Sequence, residues 1–207
     1  MAELTGVTAN LLFELGTEEL PPVALKRLSE AFTREFLKGL ADAGLAHGEV
    51  TAYSTPRRLG LLVLDCATAQ PDQNVERRGP ALKAAYDDAG VPTKAAEGFA
   101  RSCGTTVDPL QKLESDKGSW LVYNVHQAGQ AAADLLPGIA ENALNKLPIP
   151  KRMRWGSSEA QFVRPVHWLV FLHGDQVVPC TLLDAEAGKQ THGHRFHHPQ
   201  AITLYNP

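Results

Sequence analysis

Residues 11–40 read LLFELGTEELPPVALKRLSEAFTREFLKGL, and this stretch predicts how the fold begins. Leu11 to Leu15 is a short apolar run typical of a strand, and Gly16 interrupts it. Pro21 or Pro22 suits the first turn of a helix, and Gly44 suits its end. Between them the apolar residues recur every three or four positions, as on the buried face of a helix: Leu25, Leu28, Phe32, Phe36 and Leu40. The stretch therefore predicts a strand, a turn and a long helix.

Two more strands are predicted after this helix. They run from Val50 to Tyr53 and from Leu59 to Cys66, on either side of Thr55-Pro56. The second is apolar almost throughout, so we expect both of its faces to be covered. Strands packed against a helix place the chain in the α+β class, with a mixed or antiparallel sheet on helices and a first part over residues 1–70.

The next segment, residues 71–105, has a different composition. Several prolines and glycines divide it into short pieces with helical patterns, such as ALKAAYDDAG and TKAAEGFARSCG. We therefore predict a small helical insertion that begins near Pro71.

Residues 106–207 return to an α+β pattern. Leu110 to Glu114 and Trp120 to Val125 predict a hairpin around SDKGS, and Ala131 to Leu147 predicts a helix. Val166 to His173 and Val177 to Leu183 predict a second hairpin around Gly174-Asp175. A last strand, Ala201 to Leu204, almost reaches the final residue, so we expect the chain to stop before its fold is complete.

Composition indicates an ordinary globular protein of the cytoplasm. The 207 residues carry a formal net charge of -3, and 43% of them are hydrophobic. No apolar run approaches the roughly 18 residues of a membrane helix, and the first residues lack the pattern of an export signal. Cys66, Cys103 and Cys180 are odd in number and far apart, which favours reduced thiols. We expect neither a membrane nor DNA as a partner.

One segment stands out against this slightly acidic background. Residues 146–155, KLPIPKRMRW, carry four cations and no anion, a local pattern typical of contact with a polyanion such as RNA. We predict that Lys151, Arg152 and Arg154 contact phosphates and that Trp155 stacks on an unpaired base. The alternative is a solvated loop with Trp155 folded into the core. Further candidate RNA contacts, with both arginine doublets expected in turns, are Arg164, Arg57, Arg58, Arg77, Arg78, His194 and Arg195.

Two other clusters could carry chemistry. Glu14, Glu18 and Glu19 could bind a divalent metal or act as acid and base, but carboxylates just before a helix are also favoured by its dipole. The histidines of HGHRFHH could bind zinc or form a surface loop, and no Cys or acidic residue stands at a matching spacing: His192, His194, His197 and His198. Motifs of nucleotide-binding loops, serine hydrolases and zinc proteases are absent from the sequence. We therefore expect no catalytic residue, metal or cofactor in this chain.

Seven segments, in order, resemble the β subunit of bacterial glycyl-tRNA synthetase. The resemblance covers nearly all of this chain but only the amino-terminal part of the family's longer one. The segments are ELGTEELPP (14–22), TPRRL (55–59), RGPA (78–81), TKAAEGFAR (93–101), LPIPKRMRWG (147–156), FVRPVHW (162–168) and GHRF (193–196).

The resemblance implies a ligase of two α and two β subunits that attaches glycine to tRNA. In this family the α subunit is expected to hold ATP, magnesium and glycine, while the β subunit serves tRNA. The amino-terminal part of the β subunit would help to hold the α subunit and guide the acceptor end of tRNA, and the anticodon-reading region lies in the part of β that this chain lacks. The HHP after GHRF departs from the expected pattern by its extra histidines.

Two alternatives stay open at this point. The chain could be a purely structural assembly module, in which the same arginines pair with acidic residues of the α subunit and never contact RNA. The region around Glu18 could instead hydrolyse mischarged tRNA.

Overall fold

The computed structural model describes residues 7–87, 89–115 and 118–207. The chain divides into two compact units, which we call the outer unit (up to Pro71 and from Gln130 onward) and the inserted unit (Asp72–Gly129). In chain order, the elements are β1 (Thr8–Thr17), α1 (Pro22–Asp42), β2 (Val50–Thr55), β3 (Arg58–Ala67), β4 (Gln73–Ala81), α2 (Leu82–Ala85), α3 (Lys94–Ser102), β5 (Gln111–Ser115), β6 (Gly118–Gln127), α4 (Ala132–Asn145), β7 (Val166–His173), β8 (Gln176–Val177), β9 (Thr181–Leu182), β10 (Ala185–Gly188), β11 (Gln190–His192) and β12 (Ala201–Thr203).

A seven-stranded mixed sheet organises the outer unit. Its order is β2-β3-β1-β7-β10-β9, with β8 paired to β7. β1 is antiparallel to both of its neighbours, and Phe13 lies opposite Leu61 on one side and Phe171 on the other. β10 runs parallel to β7. The α+β class predicted from the sequence is confirmed.

One face of this sheet packs against helices α1 and α4. The ring of Phe13 lies 4.8 Å from that of Phe32 on α1 and 5.2 Å from that of Phe171 on β7, measured between centroids. These rings are almost fully buried, and burial of large aromatic side chains contributes most of the favourable free energy of such a core. The periodic apolar residues of α1 lie in this core, as the sequence predicted.

The opposite face of the sheet is less covered than expected. Leu62 and Leu64 of β3 are only half-buried, whereas Leu61 and Val63, which point to the helices, are buried. The second face of β3 is therefore covered only in part, because the helices pack on the face that holds Phe13.

The inserted unit is a sheet with two short helices. Its antiparallel strands have the order β4-β6-β5, and a small core forms against α2 and α3 from Ala85, Ala96, Ala100, Leu110 and Leu121. We expected a helical insertion over residues 71–105, followed by a separate hairpin. The hairpin β5–β6 instead shares a sheet with β4, because β6 pairs on both of its edges. Residues 116–117, where the sequence predicts the turn of this hairpin, lie outside the described residues.

Two local differences have a backbone cause. Arg77 and Arg78 lie within β4 and not in a turn. The second hairpin is shorter than predicted, because β8 ends at Val177 and the following residues turn away to pair with β10. The turn between β9 and β10 holds Leu183 and Asp184 at φ of 53° and 63°, a conformation that residues with side chains rarely adopt. Among the described residues, no helix is long and apolar enough to cross a membrane.

Candidate nucleic-acid interface

A cleft of about 900 Å³ opens on the outer unit where four separate segments meet. They are the turn after β1, the β2–β3 turn, the start of β7, and the loop that follows β11. Residues that line the cleft are Glu19, Thr55, Pro56, Arg57, Arg58, His167, Trp168, His192, Gly193, His194, Arg195, Phe196, His198 and Pro199.

Strand register brings these segments together. Gly16, near the end of β1, lies opposite Arg58 of β3 and Trp168 of β7. The indole of Trp168 lies over Gly16 so closely that a Cβ added there would be 2.0 Å from the ring. Glycine at this position therefore allows the Trp168 ring to lie against the sheet, beside Arg58.

A buried carboxylate lies beneath the cleft and contacts the side chains that form its floor. Glu14 of β1 is 7% exposed, and its Oε1 accepts hydrogen bonds from Nε1 of Trp168 (2.7 Å) and from the hydroxyl of Thr191. Its Oε2 lies 3.2 Å from Nη1 of Arg58. A buried charge is costly unless it is paired and hydrogen-bonded, and here both conditions are met. Glu14 therefore fixes the orientation of Arg58 and Trp168.

Arg58 is committed to partners within the protein. Besides Glu14, its Nη2 donates to the carbonyl oxygen of His192, and its guanidinium carbon lies 5.7 Å from the ring centroid of Trp168. Its Nε is buried and has no partner among the described residues. Arg58 contributes positive charge to the floor of the cleft, and Glu14 and His192 hold its guanidinium in place.

Glu18 links two of the lining side chains. Its Oε1 accepts hydrogen bonds from Nε2 of His167 (2.8 Å) and from Nη2 of Arg57 (3.3 Å). The hydrogen bond from His167, supported by the nearby charge of Arg57, holds the pKa of the Glu18 carboxyl below its ordinary value. Arg57 is also tied to the β1 turn by its Nε, which donates to the carbonyl oxygen of Thr17 (3.3 Å).

The loop after β11 supplies the least committed groups. The backbone N–H of His198 donates to the carbonyl oxygen of His194 (2.7 Å), which closes the loop on itself. Phe196 is 74% exposed, and the guanidinium carbon of Arg195 lies 4.8 Å from its ring centroid. Within the part of the chain that the structure describes, Arg195 has no carboxylate within 4.0 Å. Arg195 and Phe196 are both exposed, so a ligand can reach them.

The basic segment 146–155 lies elsewhere on the outer unit, as the loop after α4. Arg152 is half-buried and donates to the carbonyl oxygens of Asn145 (2.9 Å) and Gln161 (3.4 Å), so it satisfies the end of α4. Arg154 pairs with Glu159 at 2.8 Å on the surface, and Lys151 is exposed.

Trp155 is half-buried against the core, in agreement with the alternative interpretation of this residue. Three other predicted contacts also have partners within the chain. Arg164 donates to the carbonyl oxygens of Glu19 (3.0 Å) and Val163 (2.9 Å). In the inserted unit, Arg77 donates to that of Ser102 (3.4 Å), and Arg78 stacks on Trp120 at 3.5 Å. Of the predicted RNA contacts, the cleft therefore brings together Arg57, Arg58, His194 and Arg195.

Comparison with known proteins decides the family. The family described as "Glycyl-tRNA synthetase beta subunit" matches residues 11–207. The chain belongs to this family. It is 55% identical over 198 residues to the glycine–tRNA ligase beta subunit of Hahella chejuensis, covering 96% of this chain and 29% of the relative. It is 58% identical over 194 residues to the protein of that name from Chromohalobacter salexigens, covering 94% and 28%. It is 51% identical over 195 residues to that from Escherichia coli O8, covering 94% and 28%.

The chain thus spans under a third of the length of the glycine–tRNA ligase beta subunits that it matches. The resemblance stated from seven segments is confirmed. Four of those segments contribute residues to the cleft: ELGTEELPP, TPRRL, FVRPVHW and GHRF.

Sequence reasoning missed three side chains of the cleft. His167 and Trp168 were used only for the resemblance, and Phe196 was noted only as part of GHRF. His167 gives no signal in the sequence, because its partner Glu18 lies 149 residues away. Trp168 gives none either, since its partner Glu14 lies 154 residues away.

The His-rich loop does not converge on a metal geometry. Among the described residues, no group of three His, Cys, Asp or Glu side chains is placed to hold a metal ion. His194 instead accepts hydrogen bonds at Nδ1 from the backbone N–H groups of Phe196 (3.3 Å) and His197 (3.4 Å). In this arrangement, the Nδ1 of His194 shapes the loop.

Proposed function

We propose that this chain is the amino-terminal part of the β subunit of a glycine–tRNA ligase, and that it positions tRNA while assembling with a catalytic α subunit. In this proposal the α subunit holds ATP and magnesium, the assembly is an α2β2 heterotetramer, and this chain supplies no catalytic residue. The observation that carries the RNA contact is the cleft, because Arg57, Arg195 and the exposed ring of Phe196 line it together.

The chemistry of the cleft suits a nucleic acid. Arginines bind phosphate oxygens through several N–H groups, and aromatic rings stack on unpaired bases. Since the whole chain carries a net charge of -3, its overall field does not attract RNA, and a local cationic site is required. Glu14 and Glu18 offset much of the charge of Arg58 and Arg57, so Arg195 is the main cation left for a phosphate.

The test is tRNA affinity measured by fluorescence anisotropy over a range of salt concentrations. R57A/R195A is expected to bind tRNA more weakly and to reduce the magnitude of the salt slope by about one to two counterions. R34A is the matched control, because Arg34 is an exposed arginine of α1 with a carboxylate partner, Glu35, outside the cleft. A cleft variant that keeps its fold and binds tRNA like the wild type would contradict the RNA contact.

The basic segment offers a second RNA contact that is tested separately. In K151A/R154A both side chains are exposed, so a loss of tRNA affinity would report contact and not unfolding. Arg152 is left unchanged, because its bonds to Asn145 and Gln161 support the end of α4.

A purely structural role in assembly is the second candidate. One observation speaks against RNA contact by three of the predicted arginines: Arg58, Arg152 and Arg164 each donate to a backbone carbonyl oxygen inside the chain, as side chains that support the fold do. Light scattering of this chain mixed with the matching α subunit distinguishes the two. A heteromer that forms while tRNA affinity does not respond to R57A/R195A would favour assembly alone.

A further inference from the structure

We propose that the cleft binds an unpaired nucleotide, with its base against Phe196 and its phosphate against Arg195, and that it excludes paired RNA. This inference rests on the proposed RNA contact and names the part of the RNA that enters. The chemical class is a nucleoside phosphate presented by a single strand.

The size of the cleft favours a single nucleotide over a helix. Its volume of about 900 Å³ lies within the range of pockets that bury a small organic ligand, which is the size class of a nucleotide. A double helix is read from outside by its phosphates and 2′-hydroxyls, and its bases are stacked inside. A concave site of this volume that presents an aromatic ring is suited to a base that has left the stack.

Phe196 is the proposed stacking surface. A phenylalanine is normally buried, yet this one is 74% exposed at the edge of a cleft. One neighbour of its ring is the guanidinium of Arg195, and the His194 ring lies at a centroid distance of 6.0 Å. A base that stacked on Phe196 would therefore place its phosphate within reach of the Arg195 guanidinium.

The loop that carries both residues is already shaped. A Cβ added at Gly193 would lie 2.8 Å from the Cβ of His198, so the turn needs glycine for this close approach. Two backbone N–H groups bond to the His194 ring, and that of His198 bonds to the His194 carbonyl oxygen. A loop organised by its own hydrogen bonds loses less entropy when a ligand binds.

Trp168, in the floor of the cleft, is less available for stacking than Phe196 in the loop. The indole N–H of Trp168 is bonded to Glu14, and its ring already faces Arg58 and His192. Trp168 is half-buried, whereas Phe196 is 74% exposed and offers more of its ring to a base.

The experiment uses the 207-residue chain and a fluorescent tRNA, with three unlabelled competitors. They are a short single-stranded oligoribonucleotide, a blunt RNA duplex of the same sequence, and free AMP. We expect the single strand to displace tRNA and the duplex to fail at equal concentration. Displacement by AMP only at far higher concentration would assign the nucleotide to an RNA strand and not to a free nucleotide.

The variants give the second arm of the experiment. F196A is expected to weaken binding of the labelled single strand about tenfold, which is the usual effect of losing one stacked base. F196W should restore it. Y205A is the matched control, since Tyr205 is a 76% exposed aromatic that does not line the cleft.

Two results would overturn the inference while the proposed function stands. One is tRNA binding that the duplex and the single strand displace equally. The other is tRNA binding that responds to R57A/R195A but not to F196A. If the folded chain binds no tRNA at all, the proposed RNA contact itself fails, and this inference fails with it.

Discussion

Glu14 orients several side chains beneath the cleft. The buried carboxylate receives the indole N–H of Trp168, the hydroxyl of Thr191 and an ion pair from Arg58. Each of these three donors belongs to a different strand or strand end of the outer unit. The network therefore joins β1, β3, β7 and β11 beneath the cleft.

We predict that E14Q destabilises the chain by roughly 3 kcal/mol, because removing one partner of a buried pair leaves the other charge uncompensated. The measurement is the free energy of unfolding in urea. E159Q is the control, since it removes the exposed pair with Arg154 and should cost less than about 1 kcal/mol. Equal losses for the two variants would contradict a structural role for Glu14.

The carboxyl of Glu18 gives a prediction about pH. Its pKa is lowered mainly by the hydrogen bond from His167, so H167A should move that pKa back up towards 4.5. A carboxyl with a depressed folded pKa adds stability that is fully present above about pH 4.5 and is lost as the pH falls through the folded value. Carboxyl NMR titration of wild type and H167A measures both values, and an unchanged pKa in H167A would contradict the assigned cause. The effect on stability is small, because Glu18 is 42% exposed.

The close approach of α1 to α4 depends on a glycine of α1. Gly39 of α1 faces Ile139 of α4 so closely that an added Cβ would lie 2.6 Å from Cγ2. A Cβ added at Gly138 of α4 would have no heavy atom within 4 Å. An added methyl group would therefore clash at Gly39 and meet no obstacle at Gly138.

We predict that G39A destabilises the outer unit by about 1–3 kcal/mol, despite the better helix propensity of alanine, because the helices must move apart. G138A should instead stabilise it by about 0.5–1 kcal/mol. Thermal unfolding followed by circular dichroism measures both. In an I139A background, where the methyl in the way is gone, G39A should become neutral or stabilising. If G39A destabilised the I139A variant as strongly as it destabilises the wild type, the proposed clash with Ile139 would be refuted.

Elements with strong periodicity were predictable from the sequence, and elements fixed by distant pairing were not. The spacing of Leu28, Phe32 and Phe36 located α1, and the apolar run of β7 gave that strand its observed bounds. β9 is only two residues long, and it depends on the unusual backbone of Leu183 and Asp184. Sequence propensity carries almost no information about such a strand.

The candidate site was predictable only in its charges. Arg57 and Arg195 were identified because cations near turns favour phosphate contact. The roles of Arg152 and Arg164 were not visible, because their partners are backbone carbonyl oxygens, which every residue has. Local composition shows that a cation is present, but only the fold shows whether its donors are free.

At the scale of the whole molecule, the chain leaves the outer unit after Pro71 and returns to it at Gln130, and these two positions are neighbours. Ala69 pairs with Ala131, and the N–H of Gln70 donates to the carbonyl oxygen of Gln130 (2.9 Å). The two ends of the outer unit are therefore joined by strand-like hydrogen bonds before the inserted unit begins.

We predict that residues 72–129 can be replaced by a loop of about four glycine and serine residues without loss of the outer fold, since the gap to be closed is that of a hairpin. Such a variant should unfold cooperatively and retain the tRNA affinity of the cleft. Circular dichroism and anisotropy measure these properties. A shortened chain that is unfolded would show that the outer unit depends on the inserted one.

The position of β1 in the sheet has a consequence for how the chain is made. β1 is a central strand, and its two neighbours leave the ribosome at very different times. β3 is complete at Ala67, whereas β7 begins at Val166, about 100 residues later. At a synthesis rate of roughly 5–20 residues per second, one edge of β1 waits about 5–20 s for its partner. We expect the nascent chain to present an open, apolar strand edge during that interval, and force-profile analysis of stalled chains should detect folding near residue 67 and again only after β7 has emerged. The incomplete sheet must therefore be protected from aggregation in the cell while the inserted unit is being translated.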